Sequence, residues 1–78
     1  MEMTKENLQE KAEQLEIYLG YLADEVGKKK VNQFLKAPRT YLPKTPKVQH
    51  YLGMIQILTE EIGTFEILFD GEEFSINI

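Results

Sequence analysis

Residues 64–78 read Thr64-Phe65-Glu66-Ile67-Leu68-Phe69-Asp70-Gly71-Glu72-Glu73-Phe74-Ser75-Ile76-Asn77-Ile78. Two runs of alternating character flank Asp70-Gly71, a pair suited to the positive-φ positions of a tight hairpin turn. The expected strands are 64–69 and 72–78. A two-residue turn predicts that Phe69 faces Glu72, Ile67 faces Phe74 and Phe65 faces Ile76. Phe65, Ile67, Phe69, Phe74, Ile76 and Ile78 then share one side. Thr64, Glu66, Leu68, Glu73, Ser75 and Asn77 share the other. A slip of one residue would send every apolar side chain to the wrong face, so turn and pattern specify the same arrangement. A two-stranded hairpin is marginal in water by itself. It needs a cover.

The segment just upstream is the expected cover. Thr45-Pro46 is a helix start, with threonine as N-cap and proline at the first helical position, and Gly63 is a stop. Over 46–62, Val48, Tyr51, Leu52, Ile55, Leu58 and Ile62 form an apolar stripe, widened by Met54 and Ile57. An arc that broad predicts a helix covered on two sides and central to the fold.

A first helix is expected over about 4–26, capped by Thr4 and with Glu6 suiting the dipole of its first turn. Leu8, Ala12, Leu15, Leu19, Leu22 and Val26 recur at steps of four and three, with Tyr18 and Ala23 beside them. Glu6, Glu10, Glu13 and Asp24 lie on the opposite face, and Ile17 and Tyr21, four apart, sit among these acids. Gly27 breaks the pattern. Val31, Phe34 and Leu35 then mark a short helix over about 29–36, rotated by roughly 100° and stopped before Pro38. Residues 37–45 form an extended basic loop in which Thr40-Tyr41-Leu42 suits a short edge strand. The reading is therefore one α+β domain of order α-α-α-β-β, with the hairpin packed on the last helix.

Charge is laid out in three blocks. Residues 1–25 hold seven acids and two lysines. Residues 26–50 hold Lys28, Lys29, Lys30, Lys36, Arg39, Lys44 and Lys47 and no acid. Residues 51–78 hold six acids and no base, for a net −4 over 78 residues. The simplest expectation is that the basic middle folds against its acidic flanks. The alternative is a binding patch, with Phe34, Tyr41 and Tyr51 interleaved as stacking surfaces for nucleic acid. The acidic balance of the chain argues against the second, since such binders are usually basic.

Several functions find no support. There is no cysteine and one histidine, His50, which excludes disulfides, thiolate metal sites and multi-histidine clusters. His50 falls roughly opposite the stripe of its helix, as a surface residue would. The acid pairs Asp24-Glu25, Glu60-Glu61 and Glu72-Glu73 are adjacent in sequence, so their side chains diverge. No phosphate loop or nucleophile elbow is present. No enzyme activity, cofactor or small-molecule substrate is expected. The polar N-terminus is unlike a signal peptide, no apolar run is long enough for a membrane span, and the expected location is the cytoplasm.

The preferred class is a non-catalytic protein-binding or regulatory module, an inhibitor or adaptor of the accessory kind found in phage or stress responses. Ile17 and Tyr21, rimmed by Glu10, Glu13 and Asp24, have the makeup of an anchor patch, unless the second helix folds over them. A domain this small is short of core, so a homodimer is expected. It would form by strand pairing into four strands or by first-helix stripes meeting across a two-fold axis. The competing expectation is a monomer with Thr40–Leu42 capping the sheet.

Overall fold

The computed structural model describes residues 5–78. The expected Thr4 cap, and the side chain of Glu6, lie outside the described residues. The elements are α1 (Lys5–Val26), α2 (Lys28–Lys36), α3 (Pro46–Ile62), β1 (Glu66–Phe69) and β2 (Phe74–Asn77). The α-α-α-β-β order is that expected from the sequence.

Local chemistry accounts for the joints. Gly27 alone separates α1 from α2. Its φ of 98° is a conformation that only glycine adopts cheaply. Its N–H donates to Ala23 O at 2.8 Å, and its own carbonyl accepts from the Val31 N–H at 3.1 Å. One residue thus ends one helix and starts the next. At α3 the Val48 N–H donates to Thr45 Oγ1 at 3.2 Å, with Pro46 in the first turn, and the Gly63 N–H closes the helix onto Thr59 O at 3.0 Å.

The core is one cluster drawn from the three helices and the loop: Leu15, Leu19, Leu22, Ala23, Val31, Leu42, Val48, Ile55, Leu58 and Ile62. The α1 stripe is filled within the chain, since Leu15, Leu19 and Leu22 are 0 % exposed. This removes the expected dimer route through first-helix stripes. The central element is α1, not α3: α2, α3 and β2 all pack against it. On α3 the broad apolar arc is not fully covered, and Ile57 stays about half exposed at 49 %. The cross-links between α1 and α3 run antiparallel. Lys11 near the start of α1 pairs with Glu61 near the end of α3. Glu25 at the end of α1 reaches Lys47 at the start of α3, at 3.7 Å.

The expected edge strand at Thr40–Leu42 does not form, and the sheet has two strands. Instead the chain turns through Pro38-Arg39, with the Thr40 N–H donating to Ala37 O at 2.9 Å. Leu42 then enters the core from an extended segment. Burial of one side chain took the place of strand pairing.

In the hairpin the register is Glu66–Asn77, Ile67–Ile76, Leu68–Ser75 and Phe69–Phe74. This is offset by two residues from the pairing expected, because the loop spans Asp70–Glu73 rather than Asp70-Gly71 alone. Asp70 holds the longer loop: its Oδ1 accepts from the N–H groups of Glu72 and Glu73, each at 2.8 Å. Gly71 supplies a φ of 102°. An even offset leaves the faces intact. Phe65, Ile67, Phe69, Phe74 and Ile76 point inward and half-buried, Leu68, Ser75 and Asn77 point outward, and Ile78 is exposed beyond the strand. Phe69 and Phe74 stack at 4.5 Å. The hairpin meets the core that α3 shares, and β2 also runs against α1.

The loop generates a pH prediction. The Glu73 N–H, then that of Glu72, and to a smaller extent the charge of Lys28 hold the Asp70 carboxyl below its usual 3.8. A carboxylate favoured by the fold stabilises it above the unfolded value and loses that contribution as pH falls through the folded one. In an NMR titration the step that reaches the Glu72 and Glu73 amides through the Asp70 carboxylate is expected to have its midpoint below 3.8. Asp70→Ala should abolish that transition and fray the hairpin end at pH values above it.

Candidate functional site

The α1 helix turns one side to the core and leaves Ile17 and Tyr21, one turn apart, on its flank. They are 51 % and 48 % exposed, so α2 does not fold over them. Between them Gly20 lowers the helix surface. The hairpin loop stands opposite, with Glu72, Glu73 and Phe74, and Lys28 at the start of α2 closes one end. Together with Glu16, Ala23 and Asp24 these residues line an open groove of about 560 Å³. Its floor is apolar. Its rim carries four carboxylates and one ammonium.

Glu16 positions both walls. The Ile76 N–H donates to Glu16 Oε1 at 2.8 Å, tying β2 alongside α1 across 60 residues of sequence. A charge-assisted bond of this kind contributes more than a neutral one. Beyond Glu16 lies a second indentation lined by Leu8, Gln9, Ala12, Glu13, Ile76, Asn77 and Ile78. Glu16 borders both.

Tyr21 is held from behind by other rings. It meets Tyr18 edge-on at 6.0 Å and Tyr51 at 5.6 Å. Tyr18 in turn contacts Tyr51 and His50, each at 6.2 Å. His50 is exposed, as the sequence indicated. Such ring pairs contribute roughly 0.5–1.5 kcal/mol beyond burial, and they fix the orientation that Tyr21 presents to the groove.

Of the residues expected in a protein-binding patch, the structure brings Ile17, Tyr21 and Asp24 into the groove. Glu13 lies in the neighbouring indentation, and Glu10 is exposed outside both. Glu16, Gly20, Glu72, Glu73 and Phe74 were not anticipated. Their assembly depends on the β2–α1 contact, for which the sequence carries no local signal.

Apart from Lys28, the basic residues sit elsewhere. Lys29, Lys30 and Lys36 are on α2, Arg39 is in the turn, and Lys44 precedes α3. Among the described residues only Lys47 of the basic block forms an ion pair, with Glu25. The expected folding of the basic middle against its acidic flanks is thus realised by one contact. Tyr41 is well exposed, while Phe34 and Tyr51 are half-buried. Among the described residues no three side chains are grouped to hold a metal, and no helix is long and apolar enough to cross a membrane. Compared with family models, curated proteins and solved structures, the chain matches none.

Two sets of substitutions separate surface from scaffold. Ile17→Ala is expected within about 0.5 kcal/mol of wild type, as for an exposed side chain. Tyr21→Ala should cost about 1 kcal/mol through its lost ring contacts, and Leu19→Ala about 3 kcal/mol as a buried cavity. Urea denaturation measures all three, and comparable losses would place Ile17 and Tyr21 in the core. Glu16→Ala should cost about 1.5 kcal/mol and speed hydrogen exchange at the Ile76 amide, with Glu16→Gln retaining part of both.

Proposed function

We propose that this protein is a non-catalytic binding module whose groove between α1 and the hairpin loop takes a segment of another protein. The observation that carries this reading is a pair of half-exposed apolar anchors, Ile17 and Tyr21, on a rigid helix, ringed by Glu16, Asp24, Glu72 and Glu73. Interfaces concentrate affinity in such aromatic centres, and the charged rim governs which partner approaches and how fast. The complementary segment presents an apolar or aromatic side chain flanked by lysine or arginine. A module with this groove works as an adaptor or an inhibitor in the cytoplasm, by covering a basic surface of its partner.

A second reading, nucleic-acid binding through residues 28–47, draws on one observation: Lys29, Lys30, Lys36, Arg39 and Lys44 carry no ion pair among the described residues, and Tyr41 in the same segment is exposed. The net charge of −4 weighs against it, because phosphate contacts would have to form within an overall repulsive field.

One set of NMR titrations tests both. The probes are a Lys/Leu/Phe peptide, its Glu-for-Lys counterpart, and single- and double-stranded oligonucleotides at low salt. The basic peptide should shift Ile17, Gly20, Tyr21, Asp24, Lys28 and Phe74, and binding should fall about tenfold in Tyr21→Ala, the loss of roughly 1.4 kcal/mol expected of an anchor. Shifts confined to Lys29–Lys47 with oligonucleotide, and none with peptide, would reverse the order of the two readings.

A further inference from the structure

We propose that the outer edge of β1 joins two copies of this chain into one four-stranded antiparallel sheet. The proposal is independent of the groove reading, since the edge and the groove are separate surfaces.

The hydrogen-bond parity of the hairpin shows which edge is open. Antiparallel pairs alternate between those that exchange N–H···O bonds and those whose groups point away from each other. The Ile76 N–H is taken by Glu16 and the Asp70 N–H by Glu73 O. The pairs Ile67–Ile76 and Phe69–Phe74 are therefore the outward-pointing kind. On β2 those outward groups face α1, where Glu16 occupies the Ile76 N–H. On β1 the N–H and C=O groups of Ile67 and Phe69 point away from the sheet, and among the described residues nothing pairs with them. An edge without proline, bulge or inward charge is a template for another strand.

The flanking groups say which strand fits. Beside β1 lies an indentation lined by Asn32, Leu35 and Lys36 of α2 with Phe65, Glu66 and Ile67, and Lys36 forms no ion pair among the described residues. It suits an apolar strand with a carboxylate at one end. The chain's own β1, Glu66-Ile67-Leu68-Phe69 followed by Asp70, is such a strand. With Ile67 opposite Ile67 of the second copy, Phe65 faces Phe69, Thr64 faces Asp70, and Glu66 lays its stem beside Leu68. No like charges stand directly opposite, and Asp70 of the second copy comes opposite Thr64, next to the Phe65 wall of the indentation that Lys36 also lines. Centring on Leu68 instead would set Glu66 against Asp70, which is unfavourable. The Ile67-centred pairing keeps all inward apolar residues on one side. It also covers Leu68, 47 % exposed on the outer face, and extends the inward face, whose residues are only half-buried in one chain.

Sedimentation equilibrium from micromolar to millimolar concentration, with circular dichroism to confirm folding, tests the proposal. Wild type should approach twice 9.1 kDa. Leu68→Glu sets a carboxylate against Glu66 of the second copy and should weaken the dimer at least tenfold, as should Lys36→Glu. Leu68→Lys, meeting the same Glu66, should retain it. A 9.1 kDa species throughout overturns the proposal. So does a dimer indifferent to Leu68→Glu, which would place the interface elsewhere, or one lost equally in Leu68→Lys, which would exclude this pairing. Wild type that stays monomeric but gains amide protection at Ile67 and Phe69 only with a foreign protein would assign the edge to a different partner and equally overturn it.

Discussion

Everything in this small protein is built on one helical face that had to leave water. Leu15, Leu19 and Leu22 of α1 are 0 % exposed, and burying each contributes about 2 kcal/mol. No single neighbour supplies that cover. α3 lies antiparallel along the stripe, α2 folds back after Gly27 to bring Val31, the loop sends in Leu42, and β2 closes the remaining side. The loss of any of these opens the same apolar surface. A chain of 78 residues has little stability to spare. The flank of α1 that the stripe does not use is consequently fixed in space.

The second constraint is the Glu16 carboxylate. A strand edge lying against a helix leaves backbone donors facing side chains rather than another strand, and a donor left without a partner there is costly. Glu16 meets that need at Ile76. One bond thereby fixes the hairpin against α1, sets the width of the groove, and separates it from the indentation at the C-terminal end of β2. It also makes the two sheet edges unlike. The outward Ile76 N–H of β2 is taken by the α1 carboxylate, whereas among the described residues the outward groups of β1 have no such partner.

Much of the fold was legible because its signals are local. Thr45-Pro46, Gly27 and Gly63 bound the helices where the sequence placed them, and period-two alternation fixed both faces of the hairpin. The register was misread by two residues because Asp70-Gly71 fits a two-residue turn. The Asp70 carboxylate instead gathers the N–H groups of Glu72 and Glu73 into a longer loop, and alternation cannot distinguish the two, since both keep the same faces inward. The broad apolar arc of α3 pointed to a central helix, yet Ile57 remains exposed. Arc width reports how much apolar surface exists and not how many neighbours will cover it. In the groove, Ile17, Tyr21 and Asp24 were visible as an apolar pair among acids on one helix. Glu16, Glu72 and Glu73 were not, because their roles depend on a contact spanning 60 residues.

The charge pattern takes on a different meaning once the chain is folded. In sequence, acidic, basic and acidic blocks suggest mutual neutralisation. Among the described residues Lys47 alone of the basic block reaches an acid, Glu25, at 3.7 Å, and the other inter-helix pair joins Lys11 to Glu61, both from acidic segments. Exposed pairs of this kind contribute at most about 1 kcal/mol each, too little to have shaped the fold. The blocks are held apart by the packing of α1, not drawn together by charge. Separated fields of opposite sign persist over about 8 Å at physiological salt, so the groove rim and the α2 surface present opposite potentials to any approaching molecule. The apolar pair at Ile17 and Tyr21 lies within the acidic field, so the exposed greasy flank of α1 and the negative potential coincide.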